Sequence, residues 1–222
     1  MFDANCLKLM FVAGSQDFYH IKGGKNDRIN ALLDTLKLAL ESQITAFQFR
    51  QKGDLALQDP IEIKQLALEC QKLCQKYGVP FIVNDEVPLA LELKADGVHV
   101  GQEDMAIEEV ITLCKKRQFI GLSVNTLEQA LKARHLDGVS YLGVGPIFPT
   151  PSKKDKQVVG VELLKKIRDS GVKKPLIAIG GITMHNASKL REYGGIAVIS
   201  AITQAKDKAL AVETLLKIRE GF

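Results

Sequence analysis

Short runs of apolar residues alternate along the chain with longer stretches in which apolar residues recur at helical spacing. Each run spans three to five residues and predicts a buried strand, because a strand covered on both faces has few polar positions. The predicted strands are residues 9–13, 46–50, 81–83, 97–100, 119–123, 140–144, 176–179 and 196–199. A helix is predicted after each strand, at residues 30–42, 61–77, 87–93, 106–116, 127–134, 161–168, 186–192 and 208–219.

Eight strand–helix units of roughly 28 residues each are typical of a (β/α)8 barrel. A doubly wound open sheet is the alternative with similar content. The barrel is favoured because no Gly-x-Gly-x-x-Gly follows the first strand and no linker divides the chain. We therefore predict an α/β fold, a single-domain TIM barrel spanning residues 1–222.

Composition narrows the class of protein without identifying it. The 30 basic and 26 acidic residues leave a net charge of +4, too weak to indicate nucleic-acid binding. No apolar stretch approaches the roughly 18 residues of a membrane span, and no signal-peptide pattern is present. The four cysteines lack metal-site or disulfide-scaffold spacing, so we expect reduced thiols in a cytoplasmic protein. The sequence is compatible with a homo-oligomer.

In such a barrel, functional groups belong at the carboxyl ends of the strands and in the loops that follow. The second strand ends with Gln48, Arg50 and Lys52 predicted on one side and Phe49 on the other. A guanidinium beside an ammonium group suits the oxygens of a di- or triphosphate. The alternative interpretation is an exposed strand end that is merely polar.

Carboxylates follow the third and fourth strands. Asn84-Asp85 comes after the third strand and Asp104 after the fourth, so both carboxylates can reach one cation. Hard oxygen ligands of this kind suit Mg²⁺ better than zinc. Alternatively, Asp85 and Asp104 cap the helices that begin shortly after them.

Weaker signals for anion binding follow the later strands. Ser123 ends the fifth strand, Gly180-Gly181 follows the seventh, and Ile199-Ser200 follows the eighth. Glycines and a polar turn at these positions are the usual phosphate-site pattern of such barrels. His99, inside the fourth strand, is interpreted as a hydrogen-bonded core histidine.

The loop at residues 145–155 combines three prolines with Thr150, Ser152 and Lys153. Prolines stiffen the backbone, and hydroxyls with an ammonium group suit a phosphate, although a solvated surface loop is the alternative. Together the strand ends predict two anion sites, one cationic with carboxylates for a metal and one built from amides and hydroxyls. Two phosphorylated substrates, one of them a metal-bound diphosphate, would use such a layout.

In combination, these motifs resemble those of thiamine-phosphate synthases, in order and over nearly the whole chain. The matching segments are Gln48/Arg50/Lys52, Asn84-Asp85, residues 97–105, residues 145–150 with Lys153, residues 180–182 and residues 199–202. Members of that family join a hydroxymethylpyrimidine diphosphate to a thiazole phosphate, giving thiamine phosphate and pyrophosphate. The resemblance implies a TIM barrel, Mg²⁺ as cofactor and these two small phosphorylated substrates as partners.

The resemblance also implies roles for individual residues. The pyrimidine diphosphate would be bound by Gln48, Phe49, Arg50, Gln51, Lys52, Asn84, Ser123 and Lys153, of which Arg50, Lys52, Ser123 and Lys153 would act in catalysis. The metal ligands would be Asp85 and Asp104. The thiazole phosphate would be bound by Thr150, Pro151, Ser152, Gly181, Ile199 and Ser200.

The chain departs from the family pattern in two loops. Thr150-Pro151-Ser152-Lys153 replaces Thr-x-Thr-Lys, which keeps the hydroxyl, and Ser123-Val124-Asn125-Thr126 replaces Ser-x-His-Thr. A related thiazole tautomerase depends on that histidine, so Asn125 favours the synthase. A non-catalytic barrel that binds a phosphosugar or a nucleotide is the alternative from another functional class.

Overall fold

Eight parallel strands close into a barrel in a computed structural model that describes residues 2–115, 118–150 and 157–220. Each strand pairs with the next along the chain, and the last pairs with the first. The strands are β1 (Leu9–Ala13), β2 (Ala46–Phe49), β3 (Phe81–Asn84), β4 (Gly97–Val100), β5 (Phe119–Val124), β6 (Val139–Val144), β7 (Leu176–Ile179) and β8 (Gly195–Val198). The predicted TIM barrel is confirmed, and each strand lies within one residue of its predicted bounds.

Helices surround the barrel. They are α1 (Lys25–Glu41), α2 (Pro60–Tyr77), α3 (Val87–Glu92), α4 (Ile107–Cys114), α5 (Leu127–Ala133), α6 (Gly160–Asp169), α7 (Ser200–Thr203) and α8 (Lys208–Glu220). None of the helices in the described part of the chain combines the length and apolar character that a membrane span requires.

Two of the predicted helices differ clearly from the observed ones, and α7 was not predicted. The helix predicted at 186–192 is wrong: this segment forms a single 3-10 turn at Ala187–Leu190, because β8 starts only five residues later and leaves no room for a longer helix. α1 begins at Lys25 rather than at residue 30. Its polar first turn gives no apolar signal, but the Asp27 carboxylate accepts a hydrogen bond from the Gly24 amide at 2.7 Å and stabilises the start.

Successive side chains along each strand point alternately outwards and into the barrel, and this gives two apolar layers. Residues that point outwards pack between strands and helices, and the smaller inner layer fills the barrel. The inner layer consists of Leu7, Met10, Val12, Ala46, Ile82, Tyr141, Ile177 and Ala197. At the amino end of the barrel, the Phe2 ring lies 5.2 Å from that of Phe119 and 6.2 Å from that of Tyr141.

Glycines on the inner face make room for large polar side chains. A Cβ atom at Gly121 would overlap the Tyr141 ring and the His99 imidazole, and one at Gly143 would lie 2.8 Å from His99 Cε1. The barrel therefore accommodates Tyr141 and His99 in its interior, directly below the carboxyl ends of the strands.

Candidate active site

A cavity opens at the carboxyl ends of the strands and contains about 860 Å³ of empty space, part of it continuous with solvent. Residues from both predicted anion sites line it. Gln48, Arg50, Asn84 and Ser123 come from the predicted pyrimidine diphosphate site, and Thr150, Gly181, Ile199 and Ser200 from the predicted thiazole phosphate site. The fold thus brings residues of the two predicted sites, which are separated by up to 152 positions from Gln48 to Ser200, into one space.

Lys52, Asp85 and Asp104 form a charged cluster beside this cavity. Lys52 Nζ lies 2.7 Å from Oδ2 of Asp85 and 3.6 Å from Oδ1 of Asp104. The other oxygen of Asp104 accepts a hydrogen bond from the Gly101 amide at 2.7 Å. The cluster adjoins the cavity because Asn84, which precedes Asp85, lines it.

The two carboxylates affect each other's ionisation. Burial raises the pKa of Asp85, contact with Asp104 adds to this, and the hydrogen bond from Lys52 opposes it. Burial also pushes the pKa of Asp104 upwards, but the hydrogen bonds with Asp85, Gly101 and Lys52 prevail and lower it. The hydrogen bond to Asp85 raises the pKa of Lys52, which stays charged. One ammonium therefore faces two carboxylates, an arrangement that a further cation would neutralise.

The helix-capping interpretation of the two aspartates is wrong. The residue that caps α3 is Glu86 and the one that caps α4 is Ala106, and neither helix start is capped by a side-chain hydrogen bond. Asp85 instead has a left-handed backbone with φ of 63°, which costs free energy for a residue with a side chain. Its amide donates to the His99 carbonyl at 2.8 Å, which holds this conformation and directs the carboxylate to Lys52.

The described half of the β6 loop is fixed against β7 and β5. The Ile147 and Phe148 amides donate to the carbonyls of Ile179 and Gly180 at 2.9 and 3.0 Å. Gly181 has φ of 64°, and a Cβ there would lie 2.7 Å from the Phe148 carbonyl oxygen, so this close approach requires glycine. The Asn125 side-chain amide donates to the Gly145 carbonyl. These contacts place Thr150 at the cavity.

Comparison with known proteins identifies the family. The family model described as thiamine monophosphate synthase matches residues 18–202. The chain belongs to the thiamine monophosphate synthase family. It is 93% identical over 216 residues to the thiamine-phosphate synthase of Helicobacter pylori (strain HPAG1), covering 97% of this chain and 99% of that one.

The chain is also similar to more distant members of the family. The thiamine-phosphate synthase of Pasteurella multocida is 53% identical over 213 residues, covering 95% of each chain. A solved structure of thiamine phosphate pyrophosphorylase from Pyrococcus furiosus has a TM-score of 0.82 at 37% identity, covering 98% of this chain and 97% of that one. Family membership makes the protein a transferase of thiamine biosynthesis.

Some residues that the family resemblance singled out lie away from the cavity. The Phe49 ring packs in the outer apolar layer, with its centroid 6.2 Å from that of Phe81. The Gln51 side chain hydrogen-bonds Ser15 Oγ at 3.2 Å and accepts from the Leu57 amide at 3.1 Å, so it holds the β2–α2 loop. Neither side chain lines the cavity. Pro151, Ser152 and Lys153 lie outside the described residues.

Two features near the cavity were not predicted from the sequence. Tyr141 and Met10 line it from below, and their only signal is the inward position that alternation assigns them. Asp17, in the 3-10 turn after β1, accepts hydrogen bonds from the Gly14 amide and Gln16 Nε2, each at 2.8 Å. Gln16 Nε2 also donates to the Arg50 carbonyl at 2.7 Å, so this turn fixes the backbone of Arg50.

Asp17 makes folding stability depend on pH. Burial raises its pKa from 3.8 to about 6, against the opposing effects of its hydrogen bonds and of Arg50. The folded protein therefore binds more protons than the unfolded chain between these values, and this contribution to stability is full below pH 3.8 and lost as pH rises through about 6. Relative to Asp17→Asn, the wild type should lose about 3 kcal/mol of unfolding free energy across that window. Urea unfolding of both proteins from pH 4 to pH 7 measures this, and parallel curves would contradict it.

Proposed function

We propose that the chain joins 4-amino-2-methyl-5-hydroxymethylpyrimidine diphosphate to 4-methyl-5-(2-phosphoethyl)thiazole, giving thiamine phosphate and pyrophosphate. The observation that carries this proposal is the single cavity that both predicted anion sites line. A reaction between two phosphorylated molecules needs two anion sites that face each other across a short space.

The proposal includes a divalent cation held by Asp85 and Asp104. Both carboxylates lie close to the Lys52 ammonium. The described residues contain no group of three or more His, Cys, Asp or Glu that could hold a metal, so the protein would supply only these two ligands. Two carboxylates fit Mg²⁺, which commonly takes its other ligands from water and substrate phosphates. When bound, Mg²⁺ would neutralise charge on the diphosphate and so assist its departure.

The protein's own residues support a dissociative substitution. The carbon–oxygen bond to the diphosphate breaks with its electron pair leaving on pyrophosphate, and the thiazole nitrogen lone pair then forms the new carbon–nitrogen bond. The Arg50 guanidinium and the Lys52 ammonium would take up the negative charge that develops on the leaving group. The attacking nitrogen carries no proton, so the step needs no general base.

Apolar side chains would protect the cationic carbon from water. Val12, Ile177 and Ile179 line the cavity together with the polar residues. Excluding water from a reactive cation prevents its hydrolysis to the alcohol. This lining favours transfer to the thiazole over loss of the pyrimidine to solvent.

The tautomerase alternative receives no support from residue 125. The Asn125 amide does not ionise, and its nitrogen donates to the Gly145 carbonyl, so it is engaged in holding the β6 loop. An isomerase that needs a titratable group at this position would lack it.

Release of pyrophosphate tests the proposal. We expect the purified protein to form pyrophosphate and thiamine phosphate in equal amounts when both substrates and Mg²⁺ are present, and to form neither when one substrate is omitted. Isomerisation of the thiazole without pyrophosphate would instead indicate the tautomerase. Binding of both phosphates without turnover would indicate a non-catalytic barrel.

A further inference from the structure

The end of β1 and the turn that follows it are hydrogen-bonded to the backbone of Arg50, which lies one residue beyond the end of β2. The Arg50 amide donates to the Ala13 carbonyl at 3.0 Å, and the Arg50 carbonyl accepts from Gln16 Nε2 at 2.7 Å. Both peptide groups that flank the Cα atom of Arg50 are therefore held in place. Since these two groups determine the direction of the Cα–Cβ bond, they determine where the side chain begins its path into the cavity that it lines.

The Gln16 amide has one orientation that satisfies its neighbours. Its nitrogen lies 2.7 Å from the Arg50 carbonyl oxygen and 2.8 Å from Oδ2 of Asp17. Both neighbours are acceptors, and the amide nitrogen carries two hydrogens, one for each, whereas the amide oxygen in its place would bring no proton. Oδ2 of Asp17 also accepts from the Gly14 amide at 2.8 Å, so the carboxylate ties the Gln16 side chain to the backbone of its own turn.

The turn packs closely against the Arg50 carbonyl. Gln16 is 9% exposed, and a Cβ atom at Gly14 would lie 2.1 Å from the Arg50 carbonyl oxygen, so this approach requires glycine. Gln16 Oε1 is buried and has no hydrogen-bond partner among the described residues. Burying an unpaired oxygen costs free energy. Gln16 therefore contributes the two hydrogen bonds of its nitrogen rather than favourable packing.

We propose that Gln16 is a positioning residue, which holds the Arg50 backbone so that the guanidinium reaches a diphosphate bound in the cavity. The guanidinium is the far end of a long side chain, so a small rotation at Cα displaces it much further than it displaces Cβ. A misplacement of about 1 Å at a reacting site can cost about 100-fold in rate. The identity of the ligand rests on the proposed function, whereas the hydrogen bonds of Gln16 are a property of the free protein.

Gln16→Leu tests this role because leucine has a similar volume and no donor. We expect the dissociation constant of pyrophosphate, measured by calorimetry with Mg²⁺ present, to rise about tenfold, since the bond to Ala13 remains and the guanidinium is displaced rather than removed. Gln71→Leu is the matched control: Gln71 is 6% exposed, and its Nε2 donates to the Leu93 carbonyl at 2.9 Å, away from the cavity. This control also loses a buried hydrogen bond to a carbonyl and should bind pyrophosphate like the wild type.

The coupling between residues 16 and 50 is a readout that a merely structural role would not move. If Gln16 acts through the guanidinium, Gln16→Leu should weaken pyrophosphate binding in the wild-type background and have no further effect in the Arg50→Ala background. Equal losses in both backgrounds, or an unchanged affinity of Gln16→Leu, overturn the inference. Gln16→Asn, whose amide is one carbon too short to reach the Arg50 carbonyl, should give the same result and takes the place of Gln16→Leu if that variant does not fold.

Failure of this inference and failure of the proposed function give different results. Pyrophosphate binding needs no turnover, so coupling between residues 16 and 50 in a protein that forms no thiamine phosphate would contradict the proposed function alone. Turnover without that coupling would contradict the role of Gln16 alone.

Discussion

Asp104→Ala is expected to lower kcat about 100-fold or more while the protein stays folded. The side chain is partly exposed and lies outside the apolar layers, so its removal leaves no core cavity. Asp104, however, is one of the two carboxylates that face Lys52, and we propose this pair as the ligands of the metal. Losing groups that hold or orient a catalytic metal typically costs at least 10- to 100-fold. Steady-state rates across a Mg²⁺ titration, with circular dichroism for the fold, measure the effect.

Two variants separate charge from hydrogen bonding at this position. Asp104→Asn keeps an oxygen that can accept from the Gly101 amide but removes the negative charge, so its rate should fall nearly as far as that of the alanine variant. Glu103→Ala removes an adjacent exposed carboxylate and should turn over at the wild-type rate. An undiminished rate of Asp104→Ala at saturating Mg²⁺ would refute the metal proposal.

Arg50→Ala is expected to impair use of the pyrimidine diphosphate far more than binding of the thiazole phosphate. Arg50 lines the cavity beside Asn84, next to the charged cluster, whereas Thr150 and Ser200 belong to the other group of lining residues. Removing a group that stabilises developing charge costs about 100- to 1,000-fold. We expect a loss of this size in kcat/KM for the diphosphate substrate.

The matched variants for this prediction lie at the same position and at the other anion site. Arg50→Lys keeps the charge but loses the planar fork, so an intermediate loss is expected. Thr150→Ala should show the reverse selectivity and weaken mainly the thiazole phosphate, because it removes a hydroxyl that lines the other group's side of the cavity. Equal weakening of both substrates by Arg50→Ala would count against two separate anion sites.

The strands could be predicted from the sequence because a parallel barrel buries both of their faces. The apolar runs at β1 and β7 coincide with the observed strands, since no polar residue interrupts them. The segment at 186–192 has helical composition, but the short path to β8 overrides that propensity. Local preference predicts an element only where the space between its neighbours allows it.

The candidate site was predictable where strand ends carry charged residues. Arg50, Asp85 and Asp104 stood out because charged side chains follow buried strands. The alternation of β2 predicts that Phe49 packs outwards, as observed. The resemblance to the family nevertheless placed Phe49 among the residues that bind the pyrimidine diphosphate. Asp17 and Tyr141 were missed because their roles depend on distant parts of the chain. Asp17 acts through Gln16, which donates to the Arg50 carbonyl, and Tyr141 hydrogen-bonds His99, 42 positions away.

The aromatic contacts at the amino end of the barrel close the cavity on that side. The rings of Phe2, Phe119 and Tyr141 pack together there, and the inner apolar layer fills the space above them. In the described part of the chain, substrates and products therefore enter and leave through the opening at the carboxyl ends of the strands. If one ligand bound deeper in the cavity than the other, it would therefore have to enter before the other and leave after it.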